Sequence, residues 1–151
     1  MINVPIKLIN DKARPFRAHA TDAGSDLFSI NSIDIKPGEM SLIDTGVAVK
    51  IPTGYAGFVF NRSSQGKIQV SIANGTGVID SDYRGNILVR LKNNGDESYI
   101  IKEFDTRIAQ LVILPIAIPI FIVHSDESTW LDTERGLGGF GSTDTKRTTN
   151  E

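Results

Sequence analysis

The strongest constraint on this chain is the rhythm of its turns. From residue 5 to residue 60 no stretch keeps a helical period. Short segments of alternating apolar and polar residues are instead cut by turn residues at the spacing of a sandwich or barrel. Residues 5–9 alternate as a first strand, 11–19 form a polar, basic loop, and 27–35 reads as two strands broken at Asn31 and Ser32. Pro37 and Gly38 turn the chain into a long strand over 40–51; Pro52, Thr53 and Gly54 turn it into another over 55–60. Strands are expected again over 86–92, 98–101 and 107–115, with a turn at Asn93, Asn94, Gly95 and Asp96. The expected class is all-β. Residues 111–123 are strongly apolar but too short to span a bilayer, and they carry Pro115 and Pro119, so they read as two buried strands.

Composition narrows the chemistry. A chain of 151 residues suggests one domain, and folding at that size buries roughly two thirds of the unfolded surface. The net charge of −2 offers no basic excess for a phosphate polymer, so no nucleic-acid binding is expected, although a single nucleotide stays open. The absence of cysteine excludes disulfides and thiolate metal sites. His19 and His124 stand far apart and match no zinc spacing. No charged-then-apolar leader opens the sequence, and a cytoplasmic location without membrane association is the expectation.

Residues 74–86 concentrate the chemistry. Asn74-Gly75 between the β-prone Val70 and Ile72 and the equally β-prone Val78 and Ile79 is a hairpin signal. So little side-chain bulk leaves backbone N–H and C=O groups free for a flat, hydrogen-bonding ligand such as a nucleobase. An acid, Asp80, and a ring, Tyr83, follow directly. Taken alone, an ordinary hairpin with turn-shaping Asp residues is the simpler reading.

Four other segments stand out. Small residues and Gly24 bracket Asp26, which suits either a plain turn or a carboxylate near a ligand. Arg62, Ser63, Ser64 and Lys67 suit phosphate oxygens, particularly if Ser63 or Ser64 caps a short helix, and equally suit a solvated loop. Gln110 is a polar residue in an apolar strand; it faces solvent or needs a partner. Gly136, Gly138 and Gly141 spell G-x-G-x-x-G, but no strand leads directly in, no helix follows and only ten residues remain. A glycine-rich arm bearing Arg135 and Phe140 describes it better.

In their order the five segments resemble the trimeric deoxyuridine triphosphate nucleotidohydrolases, the dUTPases. The match runs through Ala23-Gly24-Ser25-Asp26-Leu27, then Arg62-Ser63-Ser64, then Asn74 with Gly77-Val78-Ile79-Asp80 and Asp82-Tyr83-Arg84-Gly85. It ends with Arg107-Ile108-Ala109-Gln110 and with Arg135-Gly136 followed by Gly138-Gly139-Phe140-Gly141-Ser142-Thr143. The third and fifth motifs are specific, and the resemblance covers residues 20–143.

That resemblance implies a jelly-roll-like β-barrel over 1–134 with a C-terminal arm over 135–151, assembled as a homotrimer whose active sites are each shared by three chains. It implies conversion of dUTP and water to dUMP and diphosphate, with Mg²⁺ held mainly by the triphosphate. Such an activity limits uracil incorporation into DNA and supplies dUMP for thymidylate synthesis. Asp80 would activate the attacking water at the α-phosphorus, and Tyr83 would pack on the deoxyribose and exclude a 2′-hydroxyl. Asn74 and the backbone of Gly77, Val78 and Ile79 would bind the uracil edge. Arg62, Ser63 and Ser64 would hold phosphate oxygens, and Asp26 and Gln110 would act through water near the metal. In the arm, Phe140 would cover the uracil with Gly141 and Ser142 beside it, and Arg135 would reach the γ-phosphate. Asn61 stands where the family usually has proline, which suggests a less rigid loop.

Two alternatives accompany this reading. A dCTP deaminase shares the fold but needs a glutamate near the base, and the 74–86 stretch has none. A nucleotide-gated trimer that binds a regulatory protein partner is the alternative from another class.

Overall fold

The computed structural model describes residues 2–130, 133 and 135–138. The chain divides at Ile118 and Pro119 into two compact units. The first holds ten strands: β1 (Ile6–Leu8), β2 (Ser25–Phe28), β3 (Ile33–Ile35), β4 (Met40–Val49), β5 (Tyr55–Phe60), β6 (Val70–Ile72), β7 (Gly77–Ile79), β8 (Asn86–Asn93), β9 (Tyr99–Ile101) and β10 (Arg107–Pro115). Boundaries expected from the alternation hold closely for β5, β8 and β10.

The strands form two four-stranded antiparallel sheets, β1-β4-β8-β6 and β2-β10-β5-β7, with β3-β9 as a two-stranded ribbon. Along the chain, β4 to β8 switch sheet at every step. This is the jelly-roll-like wiring expected of the class. It lets the inward residues of both sheets share one core: Val47, Ile87, Val89 and Leu91 from one, Leu27, Val59, Ile108 and Leu111 from the other. Strict alternation drives it. In β8, Ile87, Val89, Leu91 and Asn93 are buried while Leu88 and Arg90 are exposed. Buried Asn93 is satisfied, its amide donating to Ile35 O at 2.9 Å and to Glu97 O at 2.7 Å.

Two expectations fail. Asn74-Gly75 does make a turn, with Gly75 at φ 75°, but it is no hairpin: β6 pairs with β8 and β7 pairs with β5. The turn is a crossover between sheets. Turn chemistry is local, whereas each flanking strand chooses the partner that buries its inward residues. Residues 111–123 are not two buried strands either. Strand β10 ends at Pro115, and Ile118, Ile120, Phe121, Ile122 and Val123 lie outside regular structure and exposed. Prolines at 115 and 119 remove ladder donors, and hydropathy alone does not distinguish a buried strand from an exposed apolar segment.

In the second unit the four-residue helix α1 (Glu127–Trp130) is preceded by His124, whose ring lies 5.6 Å from that of Trp130. Among the described residues, no helix is long and apolar enough to cross a membrane.

Candidate functional site

One end of the β2-β10-β5-β7 sheet gathers three of the five motifs. Gln110 on β10 lies directly opposite Asp26 on β2 and Phe60 on β5. Directly opposed residues in an antiparallel ladder point to the same face, so the first and fourth motifs meet in one row with Arg62 two residues beyond it. Arg62 turns back onto the row: its Nε donates to Asp26 Oδ1 at 2.7 Å and its Nη2 to Oδ2 at 3.4 Å. Arg107 Nη1 donates to the same Oδ2 at 3.2 Å. The Asp26 side chain is only 16% exposed. Gln110 reaches Asn61 O with its Nε2 at 2.9 Å. A Cβ on Gly24 would collide with Gln110 Oε1, so the glycine of the first motif is what leaves room for that amide.

The loop after β5 enters a 3-10 helix over Ser63–Ile68. Neither serine caps it. Arg62 holds the cap position, and Gln65 Oε1 folds back to accept Arg62 N–H at 2.7 Å. Ser63 and Ser64 are thus the first two helical residues, whose N–H groups have no intrahelical partner. Buried Gln65 also donates through Nε2 to Ile108 O at 2.9 Å, tying the loop to β10. Asn61 was expected to loosen this loop. Its Oδ1 accepts Ile72 N–H at 2.7 Å, a tie to β6 that a proline side chain cannot make. A cleft of about 500 Å³ opens beside the loop, lined in part by Asn61, Arg62, Ser63, Gly66, Ser71 and Asn94.

The third motif lies elsewhere. Strand β7 is the free edge of its sheet, with Val78 exposed and Gly77 and Ile79 half-buried, so one side of its backbone is unpaired within the sheet. Asp80 follows it, exposed, and Asp80 O accepts Tyr83 N–H at 3.2 Å to close a tight turn. Arg84 Nη1 staples that turn to Ser81 O and Tyr83 O, both at 2.8 Å. Tyr83 Oη donates to Asn86 O at 2.9 Å and its ring lies over Gly85, where a Cβ would overlap it. Asn74, in the crossover turn, is exposed.

From the register, Asp80 stands three strands across and four residues along from Asp26. At ~3.3 Å per residue and ~4.8 Å per strand that is on the order of 20 Å. One subunit therefore brings Asp26, Arg62, Ser63, Ser64 and Gln110 together and leaves Asp80 and Tyr83 at a distance.

In the second unit, Arg135 Nε donates to Gly138 O at 2.9 Å across a turn with Gly136 at φ 51°. Phe140, Gly141 and Ser142 lie outside the described residues.

Around Asp26 the described donor set is sparse. Among the described residues, no group of three or more His, Cys, Asp or Glu side chains converges. Asp26 stands alone, with both its oxygens engaged by guanidinium groups. A lone carboxylate of this kind fits a hard cation carried mostly by substrate oxygens and water.

Sequence reasoning passed over Gln65, Phe16 and the contact of Arg107 with Asp26. A glutamine three residues after the cap was a usable signal for Gln65. Nothing local marks Phe16, whose ring meets Arg107 only through the fold.

An all-β jelly roll with an exposed acid on one edge of a sheet and an arginine–carboxylate cluster on the other fits a class of nucleotide-handling enzymes. The comparisons place the chain within it. The family model described as dUTPase matches residues 10–144. A deoxyuridine 5'-triphosphate nucleotidohydrolase of Cutibacterium acnes is 44% identical over 133 residues, covering 87% of this chain and 86% of that protein. One of Alkaliphilus metalliredigens is 41% identical over 148 residues, covering 97% of this chain and 100% of that protein. A mutant dUTPase of Staphylococcus bacteriophage 80alpha, solved with dUpNHpp, superposes with a TM-score of 0.79 at 35% identity, covering 95% of this chain and 99% of that one. A mutant dUTPase from phage phi11 of S. aureus, described with a structural Mg(II) ion, gives 0.76 at 31% identity, covering 84% and 99%. The chain belongs to the dUTPase family.

Proposed function

We propose that this chain hydrolyses dUTP to dUMP and diphosphate at sites completed between three copies of itself. Membership of the family and relatives that are dUTP nucleotidohydrolases support the reaction over deamination of dCTP. The observation that carries the shared site is the separation of Asp80 from the Asp26–Arg62 cluster, which is too great for one triphosphate to bridge the two within one subunit. In a closed three-fold assembly, the β7 edge of one copy meets the phosphate loop of the next. The bare apolar residues from 118 to 123 are then covered by neighbouring copies.

In that assembly the β7 backbone and Asn74 hold the uracil edge, and fixed donors and acceptors reject cytosine by leaving polar groups unpaired. Tyr83, clamped over Gly85, packs on the deoxyribose. Arg62 and the free N–H groups of Ser63 and Ser64 bind phosphate oxygens. Asp80 orients water at the α-phosphorus and takes its proton as the bond to the departing diphosphate breaks. Asp26 and Gln110 hold ordered water, and Mg²⁺, when bound, neutralises charge on the phosphates. The arm from Arg135 brings Phe140, Gly141 and Ser142 over the base and closes the site to solvent. A cytoplasmic setting suits a soluble nucleotide substrate.

Diphosphate release from a panel of nucleoside triphosphates, with Mg²⁺ and with chelator, tests the reading. The expected result is hydrolysis of dUTP far above dTTP, dCTP and UTP, lost with chelator; ammonia from dCTP would overturn it. A regulatory protein partner is a second role, favoured by likeness to the 80alpha enzyme, one of the phage dUTPases that control transfer of virulence genes. Nucleotide-dependent complex formation with such a partner would test it.

A further inference from the structure

Asp26 is bonded by two arginines that are held in very different ways. Arg62 approaches from a loop and shares its guanidinium between Asp26 and Ser64 Oγ, the latter at 3.3 Å. Arg107 approaches from a strand, and its Cζ lies 4.6 Å from the centroid of the Phe16 ring. Phe16 is itself pinned to Asp26, with Phe16 N–H donating to Asp26 O at 3.0 Å and Asp26 N–H donating to Phe16 O at 2.7 Å. Carboxylate, guanidinium and ring thus form one fixed stack.

The placement of Arg107 needs a fault in the strand. Residues three apart on a regular strand point to opposite faces, yet both Arg107 and Gln110 serve the Asp26 side. The pairing of β10 with β2 shifts between Arg107 and Ala109, so Ile108 is an extra residue. Ile108 and Ala109 are buried in succession, which a regular alternation would not allow. Such bulges re-aim side chains.

We propose that Arg107 is a positioning residue for the phosphate site, the permanent counter-ion of Asp26, while Arg62 is the exchangeable one. The inference rests on the reading that phosphate oxygens bind at Arg62, Ser63 and Ser64. A triphosphate drawing Arg62 to itself strips Asp26 of its nearer partner. With Arg107 fixed in place, Asp26 stays neutralised and oriented. Without Arg107, Arg62 is the sole partner of a largely buried carboxylate, and withdrawing it leaves a bare negative charge beside a polyanion. Arg107 thus makes Arg62 available without itself touching the substrate.

The test is metal-free binding of α,β-imido-dUTP and of dUMP to the full-length chain, in chelator, by calorimetry. Arg107→Gln is expected to weaken binding of the imido analogue roughly 10- to 100-fold, the scale of losing a charge-assisted bond, and to leave dUMP binding within about threefold. Phe16→Leu, which keeps apolar bulk but removes the ring, should give a smaller loss in the same direction, and it carries the test if Arg107→Gln does not fold. In an Asp26→Asn background there is no charge to neutralise, so either substitution should cost less than about threefold. Equal costs in both backgrounds, or equal losses for the two ligands, would overturn the proposal. If the unaltered chain fails to bind the imido analogue, the reading of the phosphate site is wrong; if it binds and the variants match it, only the role of Arg107 is wrong.

Discussion

The two ends of the β2-β10-β5-β7 sheet are built on opposite principles. At the Asp26 end the polar groups are spent on one another: two guanidiniums on one carboxylate, Gln110 on Asn61, Gln65 on both Arg62 and Ile108. At the Asp80 end the backbone does the holding, through a turn stapled by Arg84 and a ring laid over Gly85, and the carboxylate is left exposed. A cross-linked cluster of guanidinium groups suits binding a charged tail. A rigid platform with a free acid suits holding a base and sugar and delivering water. The difference teaches that one chain keeps a cross-linked charged cluster and an exposed acid apart, which is the separation the proposed shared site rests on.

The contrast breaks most sharply at Asp80. Asp80→Asn keeps the shape of the platform and removes only its proton acceptor, so single-turnover dUTP hydrolysis should fall by roughly 10²–10⁴-fold. Binding of the imido analogue and oligomer mass should be unchanged; normal turnover would make Asp80 structural.

Mixing tests whether the acid and the arm come from different copies. Chains carrying Asp80→Asn and chains ending before Arg135, unfolded and refolded together, should recover activity in about one site in four if acid and arm come from different copies. Mass spectrometry would establish that mixed trimers form. Mixed trimers with no recovery would place arm and acid in one chain.

A smaller effect is expected at Gly85. The methyl of Gly85→Ala overlaps the Tyr83 ring, and on the proposed reading the displaced ring no longer packs on the sugar. The preference for dUTP over UTP should drop by about tenfold, the scale of a lost apolar contact, with the melting temperature nearly constant. An unchanged ratio of kcat/KM values would remove Tyr83 from sugar selection.

The smallest concerns the ribbon. Burial raises the Tyr99 phenol above its ordinary value, and the Arg62 charge opposes this more weakly. The unfolded chain therefore loses this proton first, so stability is complete below about pH 10 and falls as pH rises further. Tyr99→Phe should flatten the decline in urea midpoint between about pH 9 and pH 11; an identical decline would show that other groups carry it.

Much of this was legible in residue order. Turn residues and period-two alternation are local properties, so β5, β8 and β10 could be bounded from the sequence, and the five motifs marked the family to which the chain belongs. The sequence could not say that the strands flanking Asn74-Gly75 join different sheets, because strand pairing is decided by burial between residues far apart in the chain. Nor did residue type reveal that Asn61 ties its loop to β6, since the Ile72 N–H it accepts is supplied by that strand. The bulge at Ile108, the ring of Phe16 over Arg107 and the distance between Asp26 and Asp80 exist only once the sheet is assembled. Chemistry was written in the side chains themselves. Which of them share a carboxylate, and which stand apart from it, was a matter of geometry that only packing creates.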